Sequence, residues 1–225
     1  MKNILYISSS ARKYNDHKPQ HQSISRMLGE HFLNELSADL PDVEVVHRDL
    51  SIHQPAFIDE AFLAAAFEKH SLSEEQQQIL AASDLAIKEV KDADVIVISS
   101  PMYNYGMPAV LKAWFDLVIR VNQTFSFDLA RGDKPLLPIL SGKSVVLLAS
   151  WGECEFKKGG TQHHLNHLSS HIELLSPYLG ADNFYEIASE YQEFNDRRHQ
   201  DSKQKAIEDT IELAKLLKAK HVTGH

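Results

Sequence analysis

The stretch SSPMYNYGMPAVLKAWFDLV, residues 99–118, places an amide, two tyrosines and two prolines between an apolar run and an amphipathic one. Pro101 ends the apolar run and Pro108 suits the first turn of a helix, so a tight turn is predicted between them. In that turn, Asn104 would offer a donor and an acceptor to the edge of a heteroaromatic ring. Apolar surface for a flat ligand would come from Met102, Tyr103 and Tyr105. The alternative, equally open for Met102 and Trp114, is that these side chains belong to the core beneath the turn.

A second group of candidate residues lies in SSARKYNDHKPQHQSISRMLGEHF, which follows the apolar run at 3–8. This segment contains neither of the glycine-rich phosphate motifs, GxGxxG and GxxxxGK[ST]. It does contain Ser10 and, where a helix is predicted to begin, Ser23, Ile24 and Ser25. Hydroxyls and unpaired backbone N–H groups at a helix N-terminus favour an anion. The simpler alternative is that Ser23 only caps the helix.

The third group lies in LLASWGECEFKKGG, residues 147–160. Ser150 and Gly152 are small enough to let a ligand approach the backbone closely, and the glycine pair at 159–160 indicates a mobile segment. A serine and a glycine after a strand are common, so this group indicates a ligand site only in combination with the other two groups.

Each group follows a short β-branched run that predicts a strand. The predicted strands are 3–8, 43–50, 94–99, 144–150 and 183–189. Stretches with 3.6-residue periodicity predict helices at 23–37, 74–92, 108–120, 163–179 and 201–220. Continuous apolar runs indicate strands buried on both faces of a parallel sheet, whereas 43–50 has the pattern of an edge strand.

The alternation of strands and helices predicts one doubly wound α/β domain over residues 1–225, because no linker, repeat or low-complexity segment interrupts it. Right-handed crossovers bring the loops after the strands to one edge of the sheet, where open sheets bind ligands. Loops 8–22, 99–107 and 150–162 are therefore expected to meet in one site.

Composition narrows the class of protein. Hydrophobic residues make up 43% of the 225 residues, but no run approaches the ~18 residues of a membrane span and no basic-then-apolar leader is present, which predicts a soluble protein without membrane contact. The net charge of −8 disfavours nucleic acid as a partner. Cys154 is the one cysteine, so an internal disulfide is excluded and a cytoplasmic location is expected.

Together the three loops resemble the FMN-dependent NADH-azoreductases and NAD(P)H quinone oxidoreductases, flavodoxin-like flavoproteins distantly akin to DT-diaphorase. The most specific match is PMYNYGMPAVLKAWFD, close to the family pattern P-M-Y-N-F-x-x-P-x-x-L-K-x-W/Y-F-D, and SxSRxL at residues 23–28 is a second. The resemblance covers nearly the whole chain. It implies a five-stranded parallel sheet of order 2-1-3-4-5, bound FMN and a homodimer with active sites near its interface.

The resemblance also assigns the candidate residues to parts of FMN. Those implied to hold the phosphate are Ser10, Ser23, Ile24 and Ser25. Those implied to bind the isoalloxazine ring are Met102, Tyr103, Asn104 and Tyr105. Those implied to lie at its pyrimidine edge are Ser150, Trp151, Gly152 and Glu153. No side chain is assigned as catalytic and no metal is expected, because the hydride chemistry belongs to the cofactor.

The implied activity is transfer of hydride from NADH or NADPH through FMN to a quinone, or to an azo compound that is thereby cleaved, in a ping-pong scheme. No Ser-His-Asp order or HExxH motif calls for a hydrolytic site. Two alternatives stay open, a non-catalytic flavodoxin-type electron carrier and an α/β scaffold that has lost the flavin.

Two features depart from the family pattern. The chain reads SWGE where the family commonly has SRGG, so Trp151 could cover the ring or reshape the pocket. Loop 11–22 is longer than usual and is expected to be a solvated excursion. Its cations Arg12, Lys13 and Lys18 are expected to add little to binding, because exposed charges are screened.

Two helical patterns carry further expectations. His163, His167 and His171 repeat at i, i+4 and i+8, a spacing that could bind a transition metal but is more typical of a polar or dimer-facing helix. Trp114 and Phe115 are adjacent and cannot share one helix face, which leaves one of them for a partner subunit or a second packed layer.

Overall fold

The computed structural model describes residues 3–14, 22–38 and 42–222. In chain order the elements are β1 (Asn3–Ser8), α1 (Ile24–Ser37), β2 (Glu44–Asp49), α2 (Glu60–Ala66), α3 (Glu74–Asp92), β3 (Val95–Pro101), α4 (Ala109–Val118), β4 (Phe125–Phe127), β5 (Leu136–Pro138), β6 (Lys143–Ser150), α5 (Ser169–Leu175), β7 (Ala181–Ser189) and α6 (Arg197–Val222). Among the described residues, no helix is both long enough and apolar enough to cross a membrane.

Five strands form one parallel sheet in the order β2-β1-β3-β6-β7. Since β6 and β7 are the fourth and fifth strands of this sheet along the chain, the predicted order 2-1-3-4-5 is confirmed. Ser99 pairs with Ser8, and Ser150 pairs with both Pro101 and Ser189. The carboxyl ends of β1, β3, β6 and β7 therefore lie close together at one edge of the sheet, the rim at which a ligand is expected.

Helices cover both faces of the sheet. Towards α1 and α6 point Ile4, Tyr6, Val95, Val97, Val146 and Leu148. Towards α3, α4 and α5 point Leu5, Ile7, Ile96, Ile98, Val145 and Leu147. Consecutive strand residues thus enter opposite cores, which explains why the central strands are apolar without a break.

The Tyr6 side chain of β1 fits beneath α1 because residue 29 is glycine. A Cβ at Gly29 would stand 2.3 Å from the hydroxyl oxygen of Tyr6. That hydroxyl lies 3.0 Å from Ser99 Oγ, and the Tyr6 ring stacks on His47 with centroids 4.5 Å apart. Burial raises the pKa of Tyr6 to about 12 and lowers the pKa of His47, so both are neutral at pH 7.

Helix α4 corrects one expectation about the dimer. Trp114 and Phe115 are 3% and 1% exposed, and their rings meet edge to face with centroids 5.1 Å apart. Both belong to the core cluster on the α3 side of the sheet. Neither side chain is available to a partner subunit. Of the two alternatives, packing within the chain therefore applies to both residues.

Three parts of the chain differ from the predicted elements. Helix α2 and the antiparallel hairpin of β4 and β5 were not predicted, since both are short. The predicted helix 163–179 is divided into a 3-10 turn at His163–Leu165, then α5, then a 3-10 turn at Ser176–Leu179. Asn166 makes the first break, because its side chain accepts a hydrogen bond from the Ser169 N–H at 2.9 Å.

Candidate functional site

A cleft of about 190 Å³ opens at the rim, between the loops that follow β1, β3, β6 and β7. The predicted site residues that line it are Ser10, Ser23, Ile24, Met102, Tyr103, Ser150, Trp151 and Gly152. The predicted residues outside its walls are Ser25, Asn104, Tyr105 and Glu153. The lining residues that were not predicted as part of the site are Arg12, Gln22, Pro101, Gln192 and Glu193.

One end of the cleft is the first turn of α1. Ser23 Oγ accepts a hydrogen bond from the Arg26 N–H at 3.3 Å, so the residue caps the helix, and it also lines the cleft. The two functions considered for Ser23 are therefore compatible. Ser25 is fully buried and its Oγ lies 3.3 Å from Ser23 Oγ. Within the described residues, the backbone N–H groups of Ile24 and Ser25 donate to no protein acceptor, which makes this turn suited to an anion.

Beneath this turn lies a buried ion pair that the sequence did not reveal. Arg26 is 7% exposed, and its Nη1 and Nη2 each lie 2.7 Å from an oxygen of Asp49. Burial opposes ionisation of Asp49, but hydrogen bonds from Arg26 and Ser51 outweigh it and hold the pKa of this carboxyl well below its usual range. In the sequence, the arginine of SxSRxL was the only indication of this ion pair, and the motif does not show which carboxylate pairs with it.

The turn after β3 has an unusual backbone. Tyr103 and Gly106 exchange two backbone hydrogen bonds of 2.9 and 3.0 Å, and φ is +48° at Asn104 and +66° at Tyr105. Asparagine tolerates this left-handed region, whereas a tyrosine there is strained. Both side chains are exposed, so the turn holds an amide and an aromatic ring towards solvent beside the cleft.

Two contacts tie the turn to its neighbours on the rim. The Tyr103 hydroxyl accepts a hydrogen bond from the Ala11 N–H at 3.3 Å, in the loop after β1. The Met102 N–H donates to the Ser150 carbonyl at 2.8 Å, at the end of β6. Met102 is partly buried against the core and also lines the cleft, so the two functions considered for it are compatible.

Trp151 is 2% exposed, and its indole lies in the core on the α4 side of the sheet. Its Nε1 donates to Glu190 Oε1 at 3.1 Å, and its ring meets Phe156 edge to face at 5.8 Å between centroids. The indole therefore does not cover the cleft, and the departure from the family's arginine places a core residue at this position.

The backbone after Trp151 is held by a fourth loop. The carbonyls of Trp151, Gly152 and Glu153 accept hydrogen bonds from the N–H groups of Gln192, Glu193 and Tyr191, at 3.3, 3.0 and 2.8 Å. In a trans peptide the N–H points away from the preceding carbonyl. The N–H groups of Gly152 and Glu153 thus point away from that loop, and within the described residues they have no acceptor.

A Cβ at Gly152 would stand 2.5 Å from Glu193 Cγ, so a larger residue there would force this exposed side chain to move. Gln192 and Glu193 lie in a loop that was not among the three predicted to form the site. The sequence could have predicted that the loop after β7 lies at the site, because β7 is parallel to β6 and its carboxyl end must reach the same rim.

The histidines do not form a stripe, because His163 lies in a 3-10 turn and His171 in α5. Among residues 3–14, 22–38 and 42–222, no cluster of three or more His, Cys, Asp or Glu side chains could hold a metal ion. Lys18 and most of the excursion in loop 11–22 lie outside the described residues.

The family model that matches the chain is described as having a flavodoxin-like fold, and it matches residues 2–214. An FMN-dependent NADH:quinone oxidoreductase 2 of Colwellia psychrerythraea is 49% identical over 95% of this chain and 98% of its own length. A protein of the same name from Idiomarina loihiensis is 50% identical over 88% of this chain and 83% of its own.

Solved structures agree in fold. An FMN-dependent NADH-azoreductase from Bacillus anthracis, in complex with FMN, superposes with a TM-score of 0.81 at 17% identity, over 96% of this chain and 99% of its own. A second azoreductase from Bacillus anthracis gives a TM-score of 0.79 at 21% identity, over 95% and 99% of the two chains.

Proposed function

The chain belongs to the family of FMN-dependent NADH:quinone oxidoreductases with the flavodoxin-like fold, and we propose that it is itself such an enzyme. We propose that it takes hydride from NADH or NADPH and delivers it to quinones, and that it cleaves azo compounds reductively. The whole chain would act as a single FMN-binding domain.

The residues present fit FMN. The free N–H groups of Ile24 and Ser25, with the hydroxyls of Ser10 and Ser23, would meet the phosphate dianion, which the positive end of the α1 dipole also favours. These donors are neutral, so salt would not screen most of the binding, whereas the exposed cation Arg12, which also lines the cleft, would add little.

The opposite end of the cleft fits a flat ring with a polar edge. Met102 and Tyr103 would contact its face, and the N–H groups of Gly152 and Glu153 would donate to its oxygens. The observation that carries the proposal is this pairing, two sets of unused backbone donors joined by one cleft with an aromatic wall.

The protein's part in the reaction is to bind and orient. When bound, FMN supplies the chemistry by accepting a hydride from the nicotinamide and passing it to the oxidant. Tyr103 and Tyr105 are 41% and 44% exposed, and they would offer flat surface to a nicotinamide or a quinone. Binding both in turn at one face makes the scheme ping-pong.

The test is the visible spectrum of the purified protein during anaerobic titration. We expect a flavin band that NADH bleaches and that a subsequent quinone restores. A band that NADH does not bleach would favour the electron carrier, and no retained flavin would favour the scaffold.

We also propose a homodimer. Apolar side chains are exposed between β2 and α3, where Ile52, Phe57 and Phe67 are 57%, 74% and 64% exposed. An adjoining apolar groove, lined by Ile52, Tyr103 and Val110, meets the cleft at Tyr103. Phe57→Ser with Phe67→Ser should lower the mass seen in sedimentation at micromolar concentration, whereas Leu174→Ser, at an exposed site on α5, should not.

A cytoplasmic location is proposed as well, because the chain has one thiol and no possible internal disulfide. Fractionation of the source cells would test it, and recovery of the protein from an oxidising compartment would contradict it.

A further inference from the structure

We propose that Arg26 is a positioning residue for the phosphate end of the cleft, and that it acts through Asp49 and Ser10. The inference rests on the proposed binding of FMN. It concerns how two separate segments of chain are held in one geometry, not a direct contact with the cofactor.

The guanidinium of Arg26 joins three elements. Its Nη1 donates to Ser8 Oγ at 3.0 Å, at the end of β1, and to Asp49 Oδ2 at 2.7 Å, at the end of β2. Its Nη2 donates to the Ser10 carbonyl at 2.8 Å, to Asp49 Oδ1 at 2.7 Å and to Ser51 Oγ at 2.9 Å. The arginine itself lies in the first turn of α1.

These bonds connect the two halves of the proposed phosphate site. Ser10 lies in the loop after β1, whereas Ser23 caps α1, thirteen positions later in the chain. The Arg26 backbone N–H donates to Ser23 Oγ while its side chain holds the Ser10 carbonyl. One residue therefore sets the position of one half relative to the other.

A second bond closes the same loop independently of the side chain. The Ser23 N–H donates to the Lys13 carbonyl at 3.0 Å, so the chain between Lys13 and Ser23 begins and ends at one point. With Ser10 fixed by Arg26, both ends of the first loop are held at the base of the site.

The contacts of Arg26 also explain why it is not assigned as a ligand of the phosphate. Both terminal nitrogens are occupied by protein acceptors, and Asp49 neutralises the charge. The remaining donor, Nε, is buried and has no partner within the described residues. Arginine suits this position because its planar fork meets both carboxylate oxygens and still reaches three further acceptors, which a lysine cannot do.

The test compares FMN with riboflavin, which has the same ring and lacks the phosphate. Arg26→Gln with Asp49→Asn removes both charges together, which avoids leaving one buried charge unpaired. In this folded double variant we expect FMN to bind about 10- to 100-fold more weakly, because the donors of Ser10 and α1 lose their common geometry. Riboflavin affinity should change less than about twofold, since the ring end is untouched.

The matched control is Arg48→Gln. Arg48 precedes Asp49 on β2, points to the opposite face and pairs with Glu89 on α3. This variant removes an arginine–carboxylate pair of the same strand, so stability should fall while the ratio of FMN to riboflavin affinity stays that of the wild type.

Affinities would be measured by quenching of flavin fluorescence, with circular dichroism to verify the fold. An unchanged FMN-to-riboflavin ratio in the folded double variant would overturn the inference and leave the proposed function intact. A wild-type protein that binds neither flavin would overturn both.

Discussion

The two ends of the cleft are built in opposite ways. At the phosphate end, Ser23, Ser25 and Arg26 are 4%, 0% and 7% exposed, and their polar atoms are joined by a buried network. At the ring end, Tyr103 and Tyr105 are largely exposed, and the backbone of Tyr105 is strained. At the phosphate end the polar side chains are therefore fixed by buried contacts with one another, whereas at the ring end the tyrosine rings stand partly in solvent and their hydroxyls contact the Ala11 N–H and Glu153 Oε1.

The largest effect is expected from the hydroxyls of the phosphate end. Ser23→Ala with Ser25→Ala should weaken FMN binding by about 2 to 3 kcal/mol, because hydrogen bonds to a charged group are the strong ones. Neutralising Arg12, Lys13 and Lys18 together should cost less, about 1 kcal/mol in total, because charges that salt screens contribute little.

The measurement is FMN affinity at low and high salt for both variants. A greater and salt-dependent loss in the triple variant would mean that the excursion folds over the phosphate, and would reverse the comparison at this end.

The same glycine-to-alanine change should lower stability at one position and leave it nearly unchanged at another. Gly29→Ala forces a Cβ against the buried Tyr6 ring, and we expect it to lower the free energy of unfolding by about 2 kcal/mol, since overpacking outweighs the helix propensity gained. Gly106→Ala is the control, because its Cβ would have only the Tyr103 carbonyl oxygen nearby, at 3.9 Å.

Urea unfolding of both variants measures this difference. Equal stability would show that α1 can move away from β1 at little cost, and that the phosphate end is not rigid.

Acid should weaken the phosphate end selectively. The pKa of Asp49 is lower in the folded state than in the unfolded chain, so its contribution is complete above the unfolded value of about 3.9 and is lost as pH falls below it. The loss cannot exceed about 1.4 kcal/mol per pH unit for one proton. Urea unfolding between pH 7 and pH 3 should show a steeper decline for the wild type than for the Arg26→Gln, Asp49→Asn variant, and parallel curves would contradict the assignment.

The smallest effect is expected at the ring end. Asn104→Ala should weaken FMN binding and also strain the turn, because φ is +48° there and alanine disfavours that region by about 1 kcal/mol. Asn104→Gly removes the same amide without the strain.

If the amide contacts the ring, both Asn104 variants lose FMN affinity by similar amounts. If alanine alone weakens binding, Asn104 serves the turn and not the ligand. Because the backbone of Asn104 is left-handed, this residue has a structural function in the turn in either case.

Strand order and the rim could be predicted because a parallel sheet leaves few alternatives once its apolar runs are identified. The packing and the partners of individual side chains could not be predicted. Trp151 reads as a rim residue by position, yet its indole enters the core because Phe156 and Glu190 offer it an edge contact and an acceptor. Likewise, Arg26 and Asp49 are 23 positions apart, and only the pairing of β1 with β2 brings them together.

The hydrogen bond from the Ser23 N–H to the Lys13 carbonyl has a consequence for how this chain can diverge or be engineered. Lys13 and Ser23 are therefore held next to each other whatever the number of residues between them, so the length of that connection is uncoupled from the positions of Ser10 and Ser23. Insertions there would be tolerated by natural selection, and an affinity peptide or a circular-permutation break could be introduced at the same place. The first loop thus gives this chain a point at which residues can be added while Ser10 and Ser23 keep their relative positions.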